Sequence, residues 1–434
     1  MNLRTQRRWF LVGTILLSQL AFGQSGNHWI ATWATAQQAG GFGRGGGGRG
    51  GAPGNPGAQA APPAAVAPAA PAAPTPPAST LANQTARMVV RTSIGGSRLR
   101  VHFSNAFGTI PVEVGAAHIA LRSKDSAIVP ESDRPLLFSG KPSARILPGA
   151  ELLSDPVDLT VPKLSDLAIS VFVPGESGLA SGHSQALHTT YIVPGDATGK
   201  TELTDARNTA AWYWISSIDV MAPADAGAIV AFGDSITDGT TSTVNANKSW
   251  PSQLSERLAA NPGTANVAVL NLGIAGNQVL GDGAGVSALA RFDRDVLSFA
   301  GVKWLMILEG INDMNIAGRG GQTGFQLKSE HLIAGMQQMI ERAHTHGIKV
   351  IGCTLTPFGN ASDGVESMRQ ELNAFIRTSG AFDAVVDFDK VIRDPADQRQ
   401  FIKGFNNTDK LHPNDAGYKA MADAVDLALF GATR

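Results

Sequence analysis

The twelve residues AFGDSITDGTTS, 231 to 242, set Asp234, Ser235, Thr237 and Asp238 between two glycines, directly behind an apolar run. A serine hydroxyl is a weak nucleophile until a base lies within hydrogen-bond reach and an acid orients that base. Taken alone, a Gly-Asp-Ser triplet reads more simply as a serine that caps the next helix. The far end of the chain offers the missing partners. In NNTDKLHPNDAGYKAMADAV, Asp409 and His412 lie three residues apart. If that segment turns, the carboxylate can hold one imidazole nitrogen while the other faces outward. Pro413 and Asn414 read as the opening of a final helix, which places His412 on a loop end. Of nine histidines, His412 alone has an acid at this spacing on a loop leading into a helix.

Two further stretches could stabilise charge on an attacked carbonyl oxygen. In NLGIAGNQV, Gly276 has a bare backbone that permits close approach, and in LEGINDM, Asn312 has an amide free to donate. The chemistry these residues permit is acyl transfer: Ser235 as nucleophile, His412 as base, Asp409 as its orienting acid. The oxyanion would meet the amides of Ser235 and Gly276 and the side chain of Asn312. Asp234 and Asp313 read as braces for their turns, since each adjoins a residue already given a role.

Such residues need elements to carry them. After residue 226 the runs AIVAF, VAVLNL, VKWLMIL, IKVIGCTL and AVVDF are almost continuously apolar, as in strands buried on both faces of a parallel sheet. Helical segments fall between them at about 250–260, 286–299, 326–346, 364–379 and 415–430. In the third of these, Leu327, His331, Ile333 or Ala334, Met336 and Ile340 keep a helical stripe, and Gly347 reads as its cap. This alternation predicts an α/β domain, a three-layer doubly wound parallel sheet, over 226–434. Ligands of such sheets bind at the carboxyl ends of the strands, and Ser235 follows the first strand directly.

Residues 80–225 are short, β-rich and punctuated, which predicts a β-sandwich. ARMVVRTSI and SRLRVHFSN flank Gly95–Gly96, a hairpin signal. HWIATWATAQ, with Trp29, Ala31 and Trp33 alternating, reads as a first strand of that domain within 24–38. Between them, 39–79 is a Gly/Ala/Pro-rich linker with almost nothing to bury. GDATGKT, 195–201, imitates a phosphate loop but has one residue too few between its glycines and reads as a surface turn. At the amino terminus, Arg4, Arg7 and Arg8 precede an apolar stretch from Trp9 to Phe22. This is the layout of a signal peptide over 1–23, so the expected location is periplasmic or extracellular. Arg7, Arg8, Phe10 and Leu11 also fit a twin-arginine core, leaving the export route open.

Composition narrows the rest. A formal charge of −1 supplies no field for nucleic acid or an anionic membrane, and two arginines in GRGGGGRGG are too few to hold phosphates strongly. The single cysteine, Cys353, excludes an internal disulfide and any cysteine-rich metal site. His344 and His346 are two apart in a last helical turn and point to different sides, where the helix dipole accounts for them. No cofactor, metal, nucleic-acid partner or stable membrane span is expected, and the oligomeric state is left open.

Four blocks in order, FGDSITDG, NLGIAGN, Gly310-Ile311-Asn312-Asp313 and Asp409-Lys410-Leu411-His412-Pro413, resemble the SGNH or GDSL-type hydrolase superfamily. The resemblance spans about residues 228 to 430 and carries over Ser235, Gly276, Asn312 and His412, the four letters of the family name, with Asp409. HWIATWATAQ and VHFSNAFGTIPVEVGAAHIAL are similar to the β-rich region that precedes the hydrolase domain in many secreted members. The G-x-S-x-G elbow of α/β-hydrolases is absent around Ser235. The resemblance implies a flavodoxin-like fold and a secreted serine hydrolase cleaving carboxylic esters, with carbohydrate acetyl esters as one substrate class. Lipid esters, lysophospholipids and thioesters are the alternatives, as is a catalytically silent glycan-binding protein using Trp29, Trp33, Trp212 and Trp214.

Overall fold

The computed structural model describes residues 27–39, 80–318 and 326–431. The expected signal peptide and nearly all of the 39–79 linker lie outside the described residues. In chain order the principal strands of the N-terminal half are β1 (His28–Ala34), β2 (Gln84–Arg91), β3 (Gly96–Ser104), β4 (Ala116–Lys124), β5 (Val157–Val161), β6 (Asp166–Val173), β7 (Thr190–Pro194) and β8 (Ile215–Ala222). Those of the C-terminal half are β9 (Gly227–Gly233), β10 (Val267–Gly273), β11 (Val302–Leu308), β12 (Lys349–Cys353) and β13 (Ala384–Val386).

The N-terminal half is antiparallel. One sheet runs β1, β8, β3, β5; the other contains β7, β2, β6 and β4 as neighbours. Their facing side chains alternate as a period-two pattern demands: Leu167, Ile169, Val171 and Val173 of β6 join Met88 and Val90 of β2 in the core. Gly95–Gly96 does not close a hairpin, because β2 and β3 belong to different sheets. The glycines are there for room. A Cβ on Gly95 would stand 2.4 Å from the Val161 carbonyl oxygen, and one on Gly96 would stand 2.8 Å from that of Met221. The chain crosses between sheets with other backbones pressed against it, and a glycine pair signals that as readily as a turn.

The alternation in HWIATWA is overridden in β1, where Ile30 to Ala34 are all buried. One edge of β1 pairs with β8, and the Ala31 N–H reaches across to the Ala300 carbonyl at 3.0 Å. A strand trapped between two halves has no wet face. One hydrophobic core accordingly extends from Ile30 to Phe430. Arg87, fully buried on β2, holds the 195–201 stretch by donating to the carbonyls of Thr198 and Lys200.

The C-terminal sheet has the order β10, β9, β11, β12, β13, with every pairing parallel. All seven residues of β9 are buried. From β9 the chain goes to β10 on one side and then crosses to β11 on the other, so the order reverses at the carboxyl end of β9. The helices are α1 (Ser235–Asp238), α2 (Trp250–Ala260), α3 (Ala288–Phe292), α4 (Ile311–Gly318), α5 (Ser329–Thr345), α6 (Asp363–Thr378), α7 (Phe388–Ile392) and α8 (Asp415–Asp423). The segment 286–299 divides into α3 and a π-helical turn, Asp293–Leu297. The last helix stops at Asp423, and Asp426 caps a separate 3-10 turn through the Ala428 N–H. The stripe of α5 starts later than its sequence reading, at Leu332, and continues through Met336, Met339, Ile340 and Ala343. Among the described residues no helix is long and apolar enough to cross a membrane.

Candidate active site

Ser235 is the first residue of α1, where the chain leaves β9. Asp234 is the cap: its Oδ1 accepts the Ile236 N–H at 2.9 Å. The capping role that sequence alone left to the serine therefore falls to its neighbour, and the Ser235 hydroxyl is free for another partner. A first-turn N–H also has no carbonyl one turn back in its helix, which leaves the Ser235 amide as a donor. Ser235 is only 6% exposed.

Its partner is His412. The Ser235 Oγ to His412 Nε2 distance is 2.8 Å, and His412 Nδ1 lies 2.7 Å from Asp409 Oδ2. An ionised carboxylate only accepts, so the ring proton sits on Nδ1 and the Nε2 lone pair faces the hydroxyl. Asp409 Oδ1 accepts the backbone N–H groups of Leu411 and His412 at 3.0 and 3.1 Å, closing the turn, with Lys410 at φ 55°. Partial burial pushes the Asp409 carboxyl up, but the His412 ring and these two N–H groups outweigh it and hold the acid below its ordinary range. Behind the turn, Asn414 caps α8 by accepting from Ala416 and Gly417, so the helix opens at Asp415 rather than at Pro413. Thr241 Oγ1 donates to the Pro413 carbonyl, and Tyr418 Oη donates to that of Thr240. These bonds lock the histidine loop against the serine block.

The second and third blocks are tied to the same strand end. The Ile274 N–H donates to the Gly233 carbonyl at 3.0 Å, and Gly276 takes φ 84°, a backbone region that disfavours a side chain. Asn312 Nδ2 donates to the Asn277 carbonyl at 2.8 Å, which fixes the amide and leaves its second hydrogen to point elsewhere. Asp313 accepts from the Val279 and Leu280 N–H groups at 2.8 and 3.0 Å. Ser235, Asp409 and His412 are thus in direct hydrogen-bond contact, while Gly276, Asn312 and Asp313 meet through the 274–280 loop and Asp234 holds α1.

Two buried charged residues went unread in the sequence. Arg291, 1% exposed, donates to Asn277 Oδ1, to Asp295 and to the carbonyls of Leu272 and Gly233, joining the ends of β9 and β10 beneath the site. Glu309 is fully buried with neither carboxyl oxygen hydrogen-bonded. Burial is the main reason it titrates well above its ordinary range, and it also raises Asp234 to about 7 and Asp313 to about 6. The one available signal was Glu309 itself, a charge ending the apolar run VKWLMIL.

Other candidates separate from the site. His344 Nε2 lies 2.8 Å from Asp383 Oδ2, and His346 Nδ1 donates to the Arg342 carbonyl. Trp33, Trp212 and Trp214 are buried, and the first two pack edge to face at 5.0 Å. None of these three indoles offers a platform for stacking sugars.

A family model described as GDSL-like lipase/acylhydrolase matches residues 229–425. No curated protein matches. Among solved structures, a member of the lipolytic G-D-S-L family from Veillonella parvula is 26% identical, covers 48% of this chain and 100% of its own, and has a TM-score of 0.36. A carbohydrate acetylesterase from Sinorhizobium meliloti is 15% identical, with coverages of 46% and 95% and a TM-score of 0.36. An acetyl xylan esterase from Geobacillus stearothermophilus is 19% identical, with coverages of 48% and 97% and a TM-score of 0.38. Residues 229–425 belong to the GDSL-like lipase/acylhydrolase family, and the protein is a hydrolase acting on esters.

Proposed function

We propose that the protein is a secreted serine esterase that works through an acyl-enzyme, with a short acyl group on a polar alcohol, such as an acetylated sugar, as its substrate. The observation that carries the mechanism is the line from Asp409 through His412 to Ser235, with contacts of 2.7 and 2.8 Å. His412 Nε2 takes the proton of Ser235 as Oγ attacks the ester carbonyl carbon. Charge moves to the carbonyl oxygen, which meets the amides of Ser235 and Gly276 and the free hydrogen of the Asn312 amide; each donor contributes on the order of 10²–10³ in rate. Asp409 stabilises the imidazolium. Collapse expels the alcohol, protonated by His412, and leaves an ester on Ser235. Water, deprotonated by His412, then attacks that ester and releases the acid and the serine.

The short acyl group is supported by the composition of the blocks that carry the site: 233–242, 273–277 and 310–313 contain no aromatic residue. Export is supported by the arginine-led apolar stretch at 4–22. With right-handed crossovers, helices cover both faces of the parallel sheet, the three-layer doubly wound arrangement. The N-terminal and C-terminal halves act as a β-sandwich and a hydrolase domain.

The test is Ser235→Ala assayed on p-nitrophenyl acetate. The expected result is loss of turnover and of labelling by a fluorophosphonate probe, with an unchanged thermal transition; undiminished turnover removes the nucleophile. A panel of acetylated xylan and pectin against longer-chain lipid esters then decides the substrate class, and preference for the lipid esters overturns the short-acyl reading.

A further inference from the structure

Beyond the catalytic pair lies a second histidine and aspartate whose position that mechanism does not explain. His183, 2% exposed, belongs to a two-residue strand, Gly182–His183, paired with Trp212–Tyr213 of the N-terminal half. Its Nδ1 is 3.0 Å from the Ala36 carbonyl oxygen, and its Nε2 is 3.0 Å from Asp238 Oδ1. A carbonyl only accepts, so Nδ1 carries a proton; facing an ionised carboxylate, Nε2 carries one as well. Burial opposes a charge on this ring, but Asp238 and the Ala36 carbonyl outweigh it and raise the imidazole above its ordinary range. The second oxygen of Asp238 accepts the Ala275 N–H at 3.1 Å. Ala275 immediately precedes Gly276. The turn around Gly276 is therefore held at Ala275 by Asp238, at the Asn277 N–H by the Ile274 carbonyl, and at the Asn277 carbonyl by Asn312.

We infer that His183 and Asp238 are positioning residues for the loop that presents the Gly276 amide, and that through them the N-terminal half takes part in the esterase reaction. The inference rests on the serine-esterase reading above. His183 of the β-rich half meets Asp238 at the carboxyl end of α1, three residues after Ser235, and the Ala36 carbonyl of the same half holds the other side of the ring. The backbone of Asp238 cannot shift to follow a moving loop, so only its side chain is free to turn. A Cβ on Gly273 would stand 2.1 Å from the Asp238 amide nitrogen, so α1 rests on the bare backbone of β10. Losing the His183 contact leaves a buried carboxylate without its cation, which then neutralises or swings away and releases Ala275. An oxyanion donor displaced by about 1 Å costs on the order of 10² in rate while the bound ground state barely changes.

The test measures kcat and KM on an aryl acetate. His183→Ala and Asp238→Ala are expected to lower kcat by about 10–10² with KM within about threefold. Asp238→Asn is the conservative rescue: its amide oxygen accepts from Ala275 while its NH2 donates to the Nε2 of a neutral His183, so most of the lost kcat returns. The double variant His183→Phe/Asp238→Leu guards against misfolding, because it leaves no unpaired buried charge yet takes the acceptor from Ala275. It is expected to keep the native thermal transition and to lose kcat like the alanine variants. Unaltered kcat in the double variant overturns the inference, as does a loss in Asp238→Asn equal to that in Asp238→Ala. Ser235→Ala is assayed alongside. Full turnover there removes the esterase reading itself; an inactive Ser235→Ala beside a fully active double variant removes only the role of the pair.

Discussion

His412 and His183 each hold an aspartate, at 2.7 and 3.0 Å, and their surroundings are opposite. The His412 pair is partly open to solvent, its Asp409 side chain 42% exposed; the His183 pair is closed in the seam between the two halves, both side chains at most 6% exposed. An aspartate partner is therefore no mark of a catalytic histidine. His102 with Asp219, His118 with Asp133 and His344 with Asp383 have one too. What sets His412 apart is its second nitrogen, which faces a hydroxyl with a proton to give. The second nitrogen of His183 faces a carbonyl, so the ring has no lone pair to offer and can only hold things in place.

Removing the base should break this comparison most sharply. His412→Ala is expected to lower kcat by on the order of 10⁴, leaving only what the oxyanion donors and binding supply; steady-state kinetics on an aryl acetate checks this, and a loss no greater than that of His183→Ala would mean the two pairs do not differ in kind. Asp409→Asn comes next, at about 10²–10⁴ in kcat. The partial exposure of Asp409 lets water take over some of its bonds, so its loss should fall below that of His412. Third is Asn312→Ala, at about 10²–10³ in kcat with KM little changed. A loss carried in KM instead would assign Asn312 to substrate binding rather than to the oxyanion.

Where the sequence was legible, the reason is locality. Ser235, Gly276 and Asn312 each stand just beyond an apolar strand, and Asp409 and His412 lie within one turn, so their meeting asks only that parallel strands bring their carboxyl ends together. Arg291 had no such signal. Its partners at Gly233 and Leu272 lie 58 and 19 residues away, and an arginine in a helical segment reads as surface charge. His183 was hidden for the same reason, being 147 residues from Ala36 and 55 from Asp238. The β1 alternation and the Gly95–Gly96 pair misled for a different cause. Local pattern reports one strand and one face, and in both places a second body of chain packs where solvent or a turn was expected.

The pair of His344 and Asp383 supplies the smallest effect and the control for the others. Asp383 also accepts the Val350 N–H at 2.6 Å, near the amino end of β12. That is the rim opposite the carboxyl ends where Ser235 stands, so Asp383→Asn should leave kcat within about twofold of the unaltered protein. Its signature is in stability. Burial acts to raise the Asp383 carboxyl, but the Val350 N–H, the His344 ring and Lys349 bring it below the ordinary value. An acid depressed in the folded state contributes stability that is fully present above its unfolded pKa, about 3.9, and is lost as pH falls through the folded value. Asp383→Asn should therefore unfold slightly earlier at pH 7, by a few tenths of a kcal/mol because the pair is more than one-third exposed. The gap should close as the medium is acidified below about pH 4, where the carboxyl of the unaltered protein takes up its proton. Thermal denaturation of both proteins across that range checks it; no gap at pH 7 would show the pair to be without net effect, and a gap that widens on acidification would overturn the prediction.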